Sequence, residues 1–333
     1  MLEPGQLTHL VLTRCRELGF ALAGVCDARP IDRPEALRAW LAAGKHGQMD
    51  YMAEHVDLRI DPARLIPGTK SIICVADRYA TGASSTSLHS GEGPGMRTSE
   101  KDGERHFGRI ARYAQGRDYH RVIKRRLHRV CDELRERFPG HTFRAFVDTG
   151  PVMEREHAQR AGLGAVGKHT LLIDRGVGSY LLLGEILTTL ELAPTDPAAP
   201  DPCGSCTRCI DACPTGAIAP WSVDATRCIS YLTIEHRGEI DPALRSKMGD
   251  WVFGCDICQE VCPHNQPKSR AGAAPTHPAY APKRDGFDLN EVLSWTEEQR
   301  RAAFENSPMK RATLTMMQRN AAVASRNITR TLR

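Results

Sequence analysis

Cys203-Gly-Ser-Cys206-Thr-Arg-Cys209-Ile-Asp-Ala-Cys213-Pro214 decides the reading of this chain. Three cysteines separated by two residues each, then a fourth three residues on and before proline, is the spacing by which paired 4Fe–4S cubanes are held. A second set follows at Cys228, Cys255, Cys258 and Cys262, again closing on a proline, Pro263, with its first cysteine displaced upstream. In this arrangement each half gives three thiolates to one cluster and its pre-proline cysteine to the other. The expected ligand sets are therefore Cys203, Cys206, Cys209 and Cys262 for one cluster, and Cys213, Cys228, Cys255 and Cys258 for its neighbour. Tight loops point successive sulfurs inward, and the proline starts the chain away from the loop. Structural zinc and disulfides are the rival readings. Zinc sites usually show two separated C-x2-C pairs, which is not this pattern.

Outward from the cysteines, the 333 residues suffice for two or three domains, and 41% hydrophobic with 26% charged residues fits a globular protein. No apolar run reaches the roughly 20 residues of a membrane helix. The N-terminus, Met1-Leu-Glu-Pro-Gly-Gln, lacks a basic start, an apolar core and a twin arginine. The cytoplasm is the expected compartment, and its reducing poise suits cluster thiols. Cys15, Cys26, Cys74 and Cys131 stand alone in apolar or helical stretches and read as buried small residues. Net charge is +5, but Arg109, Arg112, Arg117, Arg121, Lys124, Arg125 and Arg126 crowd one stretch, and residues 300–333 contain a single acid, Glu305. Such blocks are usually solvated faces, and two of them raise the case for a polyanionic partner.

Residues 1–195 alternate strands and helices, which predicts an α+β domain built as layers. Val122, Ile123, Leu127, Val130 and Leu134 mark one stripe of a helix over 119–138. Strands are expected at 20–25, 71–76, 109–114, 142–147, 170–174 and 179–190, and residues 81–103, rich in Gly and Ser, read as a long loop. Residues 196–267 form a two-cluster ferredoxin-like module. Residues 268–333 form a linker and a short helical tail, with helices at 288–294, 296–305 and 308–326.

Three motifs have plain alternatives. Gly162-Leu-Gly-Ala-Val-Gly167 matches a dinucleotide fingerprint, but it follows a helix and precedes a strand, so a turn of close backbone approach is expected. Asp118-Tyr-His120 begins a corrinoid lower-ligand signature whose glycine is replaced by Ile123, and it is set aside. Asp148, at a strand end, is a turn or N-cap aspartate on the plain reading. On the functional one it is a general acid whose pKa is raised by burial beside a cofactor. Ser230, Asp256 and Gln259 adjoin the second cysteine set, where they could bond sulfur or face an electron acceptor.

The chain resembles the epoxyqueuosine reductases, cobalamin-dependent iron–sulfur enzymes of tRNA modification. The resemblance lies in Arg112-Tyr-Ala-Gln-Gly-Arg-Asp-Tyr-His120, Phe146-Val-Asp-Thr-Gly-Pro-Val-Met-Glu-Arg155, Arg160-Ala-Gly-Leu-Gly-Ala-Val-Gly-Lys-His169, Gly178-Ser-Tyr-Leu-Leu-Leu-Gly-Glu185, Cys228-Ile-Ser-Tyr-Leu-Thr-Ile-Glu235 and both cysteine sets. It implies a cobalamin-binding domain like that of reductive dehalogenases, the ferredoxin-like module, and a short HEAT-like helical piece at Ser307–Arg311 and Gln318–Asn320. The implied reaction reduces the epoxide of epoxyqueuosine at the tRNA wobble position to the alkene of queuosine. Low-valent cobalamin fed by the clusters acts on the epoxide, and Asp148 protonates the departing oxygen. Arg59, Tyr113, Ser179, Ser230 and Asp256 fall in stretches that resemble cobalamin-contacting segments. The chain has His169 where the family usually has Asn and Tyr180 where it has Trp, both expected in the cofactor pocket. Anticodon-stem phosphates would meet the basic helix and tail. A low-potential electron donor, a monomeric state and no membrane partner complete the expectation. The rival functions are a corrinoid reductive dehalogenase, a ferredoxin-type electron carrier, and a nucleic-acid-binding protein with structural clusters.

Overall fold

The computed structural model describes residues 2–80, 106–198, 200–266 and 275–331. The loop expected at 81–103 lies outside the described residues.

Helix Pro4–Glu17 begins with proline, which needs no N–H partner there, and with a capping box between Glu3 and Gln6. Gly19, at φ +83°, ends it in the left-handed turn that glycine takes most easily. The chain then enters a four-stranded sheet ordered Leu22–Asp27, Ser71–Arg78, Leu181–Thr188, Phe143–Phe146, every neighbouring pair antiparallel. The central strand Ser71–Arg78 is buried along its whole length. Side chains alternate across a strand, so its two faces serve two cores. Ile73 and Val75 pack with Val11, Ile123, Leu127 and Val130 under helices Pro4–Glu17 and Tyr119–Arg137. Ile72, Cys74 and Ala76 pack with Ala158, Ala161 and Leu163 around helix Glu154–Arg160. This gives three layers, helix–sheet–helix, of the α+β class. Cys15, Cys26, Cys74 and Cys131 are all buried and form no disulfide.

A three-stranded sheet draws one strand from each of the three segments into which the sequence divides. Trp251–Phe253 pairs in parallel with Phe107–Ile110, which pairs antiparallel with Gly286–Asp288. Gly108 lets the strands pack closely there, because a Cβ would lie 2.5 Å from both Leu289 and Val252 side-chain carbons, which would have to shift. Helix Leu314–Thr331 covers this sheet with Met317, Ala321 and Ala324. Its buried Asn320 donates to the Thr233 carbonyl at 3.0 Å and the Val252 carbonyl at 2.9 Å. The helix expected at 308–326 is instead a 3-10 turn, Pro308–Arg311, followed by a helix from Leu314. Ser307 caps the turn, and the Thr313 hydroxyl accepts from the Met316 N–H at 3.3 Å to start the next. The strand expected over 109–114 stops at Ile110, and Arg112–Ala114 is a 3-10 turn.

The basic stretch does not face one way. Arg126 is buried and ion-paired with Asp77, whose side chain is 0% exposed. Arg109 stacks on Trp251 and reaches Asp250, and Arg112 reaches Asp256 and Glu260. These three leave the expected polyanion-binding face. Arg117, Arg121, Lys124, Arg125 and Arg129 remain on it. Among the described residues no helix is long and apolar enough to cross a membrane.

Candidate functional site

The two expected cysteine sets each draw together. A cavity of about 50 Å³ lies among Cys203, Cys206, Cys209 and Cys262, with His169, Arg208 and His264 on its walls. Burial pushes the Cys262 thiol up to about 11, and the neighbouring Cys203, Cys209 and Cys206 add to the effect. In the second set, burial raises Cys258 and Cys255, and both thiols also feel Cys228, which feels Cys213. Cys258 additionally feels Cys209, so the sets adjoin. Among the described residues no three His, Cys, Asp or Glu side chains converge as closely as one bound ion requires. Backbone N–H groups point at these sulfurs: Lys168 at Cys203 and Ala217 at Cys213, each at 3.4 Å. Hydrogen bonds of this kind stabilise thiolates and tune cluster potential.

The glycine turn 162–167 closes against this region. A Cβ at Gly164 would lie 2.5 Å from the Ile173 carbonyl, and one at Gly167 would lie 3.3 Å from the Cys203 sulfur. The turn thus brings backbone against the cysteine loop, and Lys168 locks it by donating to the Gly204 carbonyl at 2.7 Å and the Cys206 carbonyl at 3.1 Å.

A second group of side chains forms a recess around Asp148. Asp148 follows strand Phe143–Phe146 and sits at φ +57°, a left-handed conformation uncommon outside glycine. Its backbone N–H donates to Glu154 Oε1 at 2.8 Å. Its carboxylate meets His120 Nε2 at 3.1 Å, and its side chain is 58% exposed. Asp118 Oδ1 meets the other ring nitrogen, Nδ1, at 2.8 Å. The next helix, Glu154–Arg160, starts from Met153, so of the plain reading's two options Asp148 is the turn aspartate and not the N-cap, while Asp118 is the N-cap of helix Tyr119–Arg137. Burial lowers the pKa of His120, but hydrogen bonds and charge from Asp118 and Asp148 outweigh it and raise it to about 9. Burial likewise pushes the Asp148 carboxyl up, yet its bond to His120 and the charge there hold it below the usual range. The expected burial-raised Asp148 is thus corrected: the histidine dominates. For Glu154, burial with Glu185 and Asp148 nearby outweighs the pull of Arg155 and raises it to about 8.

Tyr51 stands within electrostatic reach of Asp148, Glu235, Arg311 and Arg59. Arg311 pairs with Glu235 and lies 5.0 Å above the Tyr51 ring. Arg59 is buried; one of its nitrogens reaches the Tyr51 carbonyl at 3.2 Å, while its Nε has no partner. Tyr113 is raised by burial and feels Asp148, Asp256 and Glu235, which links the recess to the second cysteine set. Asp256 accepts from the Arg112 N–H at 2.7 Å, and burial pushes its carboxyl up to about 6.

Of the expected site residues, Tyr113, Asp148 and Asp256 therefore come together, and Arg59 joins them through Tyr51. Ser230 lies beside Cys228, to which its N–H points. Ser179 is buried elsewhere, bonded to Asn265 and Gln259 behind Cys258. The two unusual residues also fall on the cluster side: His169 lines the cavity of the first set, and Tyr180, edge-on against Tyr79 at 5.5 Å, feels Cys258 and Asp256. The sequence does not single out His120, Glu154, Tyr51 or Arg311 as residues of this site. Only Asp118-x-His120 carried a signal, that of a carboxylate orienting a histidine.

Comparison with known proteins matches two family models: epoxyqueuosine reductase QueG over residues 59–149 and a 4Fe-4S double cluster binding domain over 202–265. The epoxyqueuosine reductase of Pseudomonas aeruginosa is 40% identical over 99% of this chain and 88% of its own. That of Escherichia coli is 38% identical over 98% and 82%. A crystal structure of epoxyqueuosine reductase with an epoxyqueuosine-modified tRNA-Tyr stem loop superposes with TM-score 0.83 at 28% identity, covering 97% of this chain and 81% of that one. The Streptococcus thermophilus enzyme gives 0.82 at 28%, covering 97% and 82%. Sequence likeness along nearly the whole length, shared by the recess and the cysteine region alike, has one meaning: this chain belongs to the epoxyqueuosine reductase family.

Proposed function

We propose that this chain reduces the epoxide of epoxyqueuosine, at the wobble position of tRNA, to the alkene of queuosine. The observation that carries the reading is the adjacency of two four-cysteine sets to a recess holding Asp148 and His120. The tRNA stem loop bound by a solved relative supports the substrate class. The reaction takes in two electrons and two protons and releases water. Cys203, Cys206, Cys209 and Cys262 ligate one 4Fe–4S cluster, and Cys213, Cys228, Cys255 and Cys258 the other. The second lies nearer the recess, because Asp256 and Tyr113 bridge from it to Asp148.

The recess fits cobalamin. A corrin presents a broad face and amide-bearing edges; the unpartnered buried Nε of Arg59 beside Tyr51 offers a donor, and Tyr51 and Tyr113, which both feel Asp148, offer aromatic surface. Arg59, Tyr113, Ser230 and Asp256 would hold it, with Ser179 bracing the loop of Cys258 and Cys262 from behind. Bound there, cobalamin supplies the close metal donor or strong two-electron nucleophile that opening an epoxide needs. Asp148 protonates the departing oxygen. Residues 1–195 form the cobalamin-binding domain, 196–267 the cluster module, and 268–333 the tail that meets tRNA with the exposed face of helix Tyr119–Arg137. The enzyme works as a cytoplasmic monomer and takes single electrons from a low-potential donor. Asp148→Asn tests the chemistry: clusters and cobalamin binding should persist while turnover stops, and wild-type rates would remove the assigned role.

A further inference from the structure

Releasing water from an epoxide oxygen requires a proton beside that oxygen, which Asp148 delivers if the proposed function holds. Asp148 by itself is poorly suited to store that proton, since its carboxyl is held ionised at neutral pH. The store is visible next to it. Both nitrogens of His120 face carboxylate oxygens, Asp118 Oδ1 at 2.8 Å and Asp148 Oδ2 at 3.1 Å. A carboxylate only accepts, so a ring between two of them carries hydrogen on both nitrogens. The ring is also fixed in place. It stacks on Tyr119 at 4.0 Å, and Asp118 is anchored by accepting from the His120 N–H at 3.1 Å and donating its own N–H to the Asn306 carbonyl at 2.8 Å.

We infer that His120, oriented by Asp118, is a positioning residue that stores the proton Asp148 passes to the departing oxygen. The Nε2–H bond breaks as an O–H bond forms on Asp148. That O–H then breaks as the oxygen leaving carbon gains its hydrogen. Imidazole ends neutral and the carboxylate is restored; no electron moves in these steps. Solvent recharges the ring, whose side chain is 30% exposed.

The surrounding charges determine when the store is full. On its own helix His120 meets Asp118, Tyr119 and, one residue on, Arg121. Across from it stand Asp148, with Glu154 and Arg155 behind, and Tyr113 and Arg311 also face Asp148. The helix N-terminus disfavours a cation on the first turn. The two carboxylates outweigh this and burial, and the ring stays protonated up to about pH 9. The store is thus full below that pH and empties above it.

The test uses the cluster-loaded protein with carbon-13-labelled histidine, titrated by NMR; the His120 signal is assigned by its loss in His120→Gln. A midpoint near 9 is expected, moving down in Asp118→Asn and in Asp148→Asn. Turnover of epoxyqueuosine-bearing tRNA should fall above that pH. His120→Gln should lower kcat at neutral pH by about tenfold or more, leave KM unchanged and abolish that limb. A merely structural histidine would not move the limb. If His120→Gln fails to fold, the shift in Asp118→Asn assigns the signal. A wild-type midpoint at or below about 6.5, the ordinary histidine value, would overturn the inference, as would an unchanged limb in His120→Gln. Absence of any turnover by the wild type would instead refute the proposed function, and the NMR midpoint would still report on His120.

Discussion

Replacing Arg126 by methionine keeps the stem of the side chain and removes its charge. In the native structure Arg126 Nη1 donates to Asp77 Oδ1 at 3.0 Å, Nη2 bonds the other oxygen, and the guanidinium lies 4.2 Å over the Phe20 ring. The Tyr280 hydroxyl also donates to Asp77, at 2.6 Å. In Arg126→Met the wholly buried carboxylate keeps the tyrosine bond and loses its cation. Breaking one side of such a pair costs about 3–5 kcal/mol. At about 1.4 kcal/mol per decade, local opening should become about two to four decades more frequent. Amide hydrogen exchange of strand Ser71–Arg78 reads this directly, without requiring reversible unfolding of a cluster protein. Asp77→Asn combined with Arg126→Met should restore most of the protection. The salt dependence of tRNA binding should be that of the wild type, because Arg126 faces the core. Exchange raised less than about tenfold, or a double variant no better protected than the single one, would refute the reasoning.

Other consequences can be read with simpler assays. On the proposed ligand sets, Cys262→Ser removes one ligand from the first cluster alone, so iron content should fall toward half, with the spectroscopic signal of the Cys213 set retained. Gly178→Ala should also cost cluster iron: Gly178 sits at φ +93°, and a Cβ there would lie 2.3 Å from Asn265 Oδ1, three residues from Cys262. Lys124→Ala and Arg125→Ala, on the exposed face of their helix, should each flatten the slope of log affinity for tRNA against log salt by about 0.7–0.9 for every phosphate no longer neutralised. Glu154→Gln keeps an acceptor for the Asp148 N–H but cannot release a proton; wild-type kcat in that variant would limit Glu154 to holding the loop.

The elements most legible in the sequence are those fixed by local spacing. The cysteine loops announce themselves because a cubane dictates the interval between its thiolates. Helix Tyr119–Arg137 is legible from its apolar stripe, and the buried strand Ser71–Arg78 from its unbroken apolar run. Charge was harder to place. Arg126 falls on the stripe with Ile123 and Val130, and that position, not its basicity, gave its direction; the pairing with Asp77 could not be read locally. The recess was least legible. Tyr51, His120, Asp148, Glu154 and Arg311 come from five different turns of the chain, and no interval in the sequence places them together. Read locally, Asp118-x-His120 matches only the start of a corrinoid lower-ligand signature whose glycine is absent. Its use became apparent only once the fold put Asp148 against the ring.

The most direct test of the account is anaerobic turnover. The protein would be reconstituted with iron, sulfide and cobalamin, given a strong reductant and epoxyqueuosine-bearing tRNA, and the digested tRNA examined by mass spectrometry. The account predicts loss of one oxygen from the modified nucleoside, dependent on cobalamin and abolished in Asp148→Asn. An unchanged nucleoside, in protein whose clusters and cobalamin are spectroscopically intact, would contradict it.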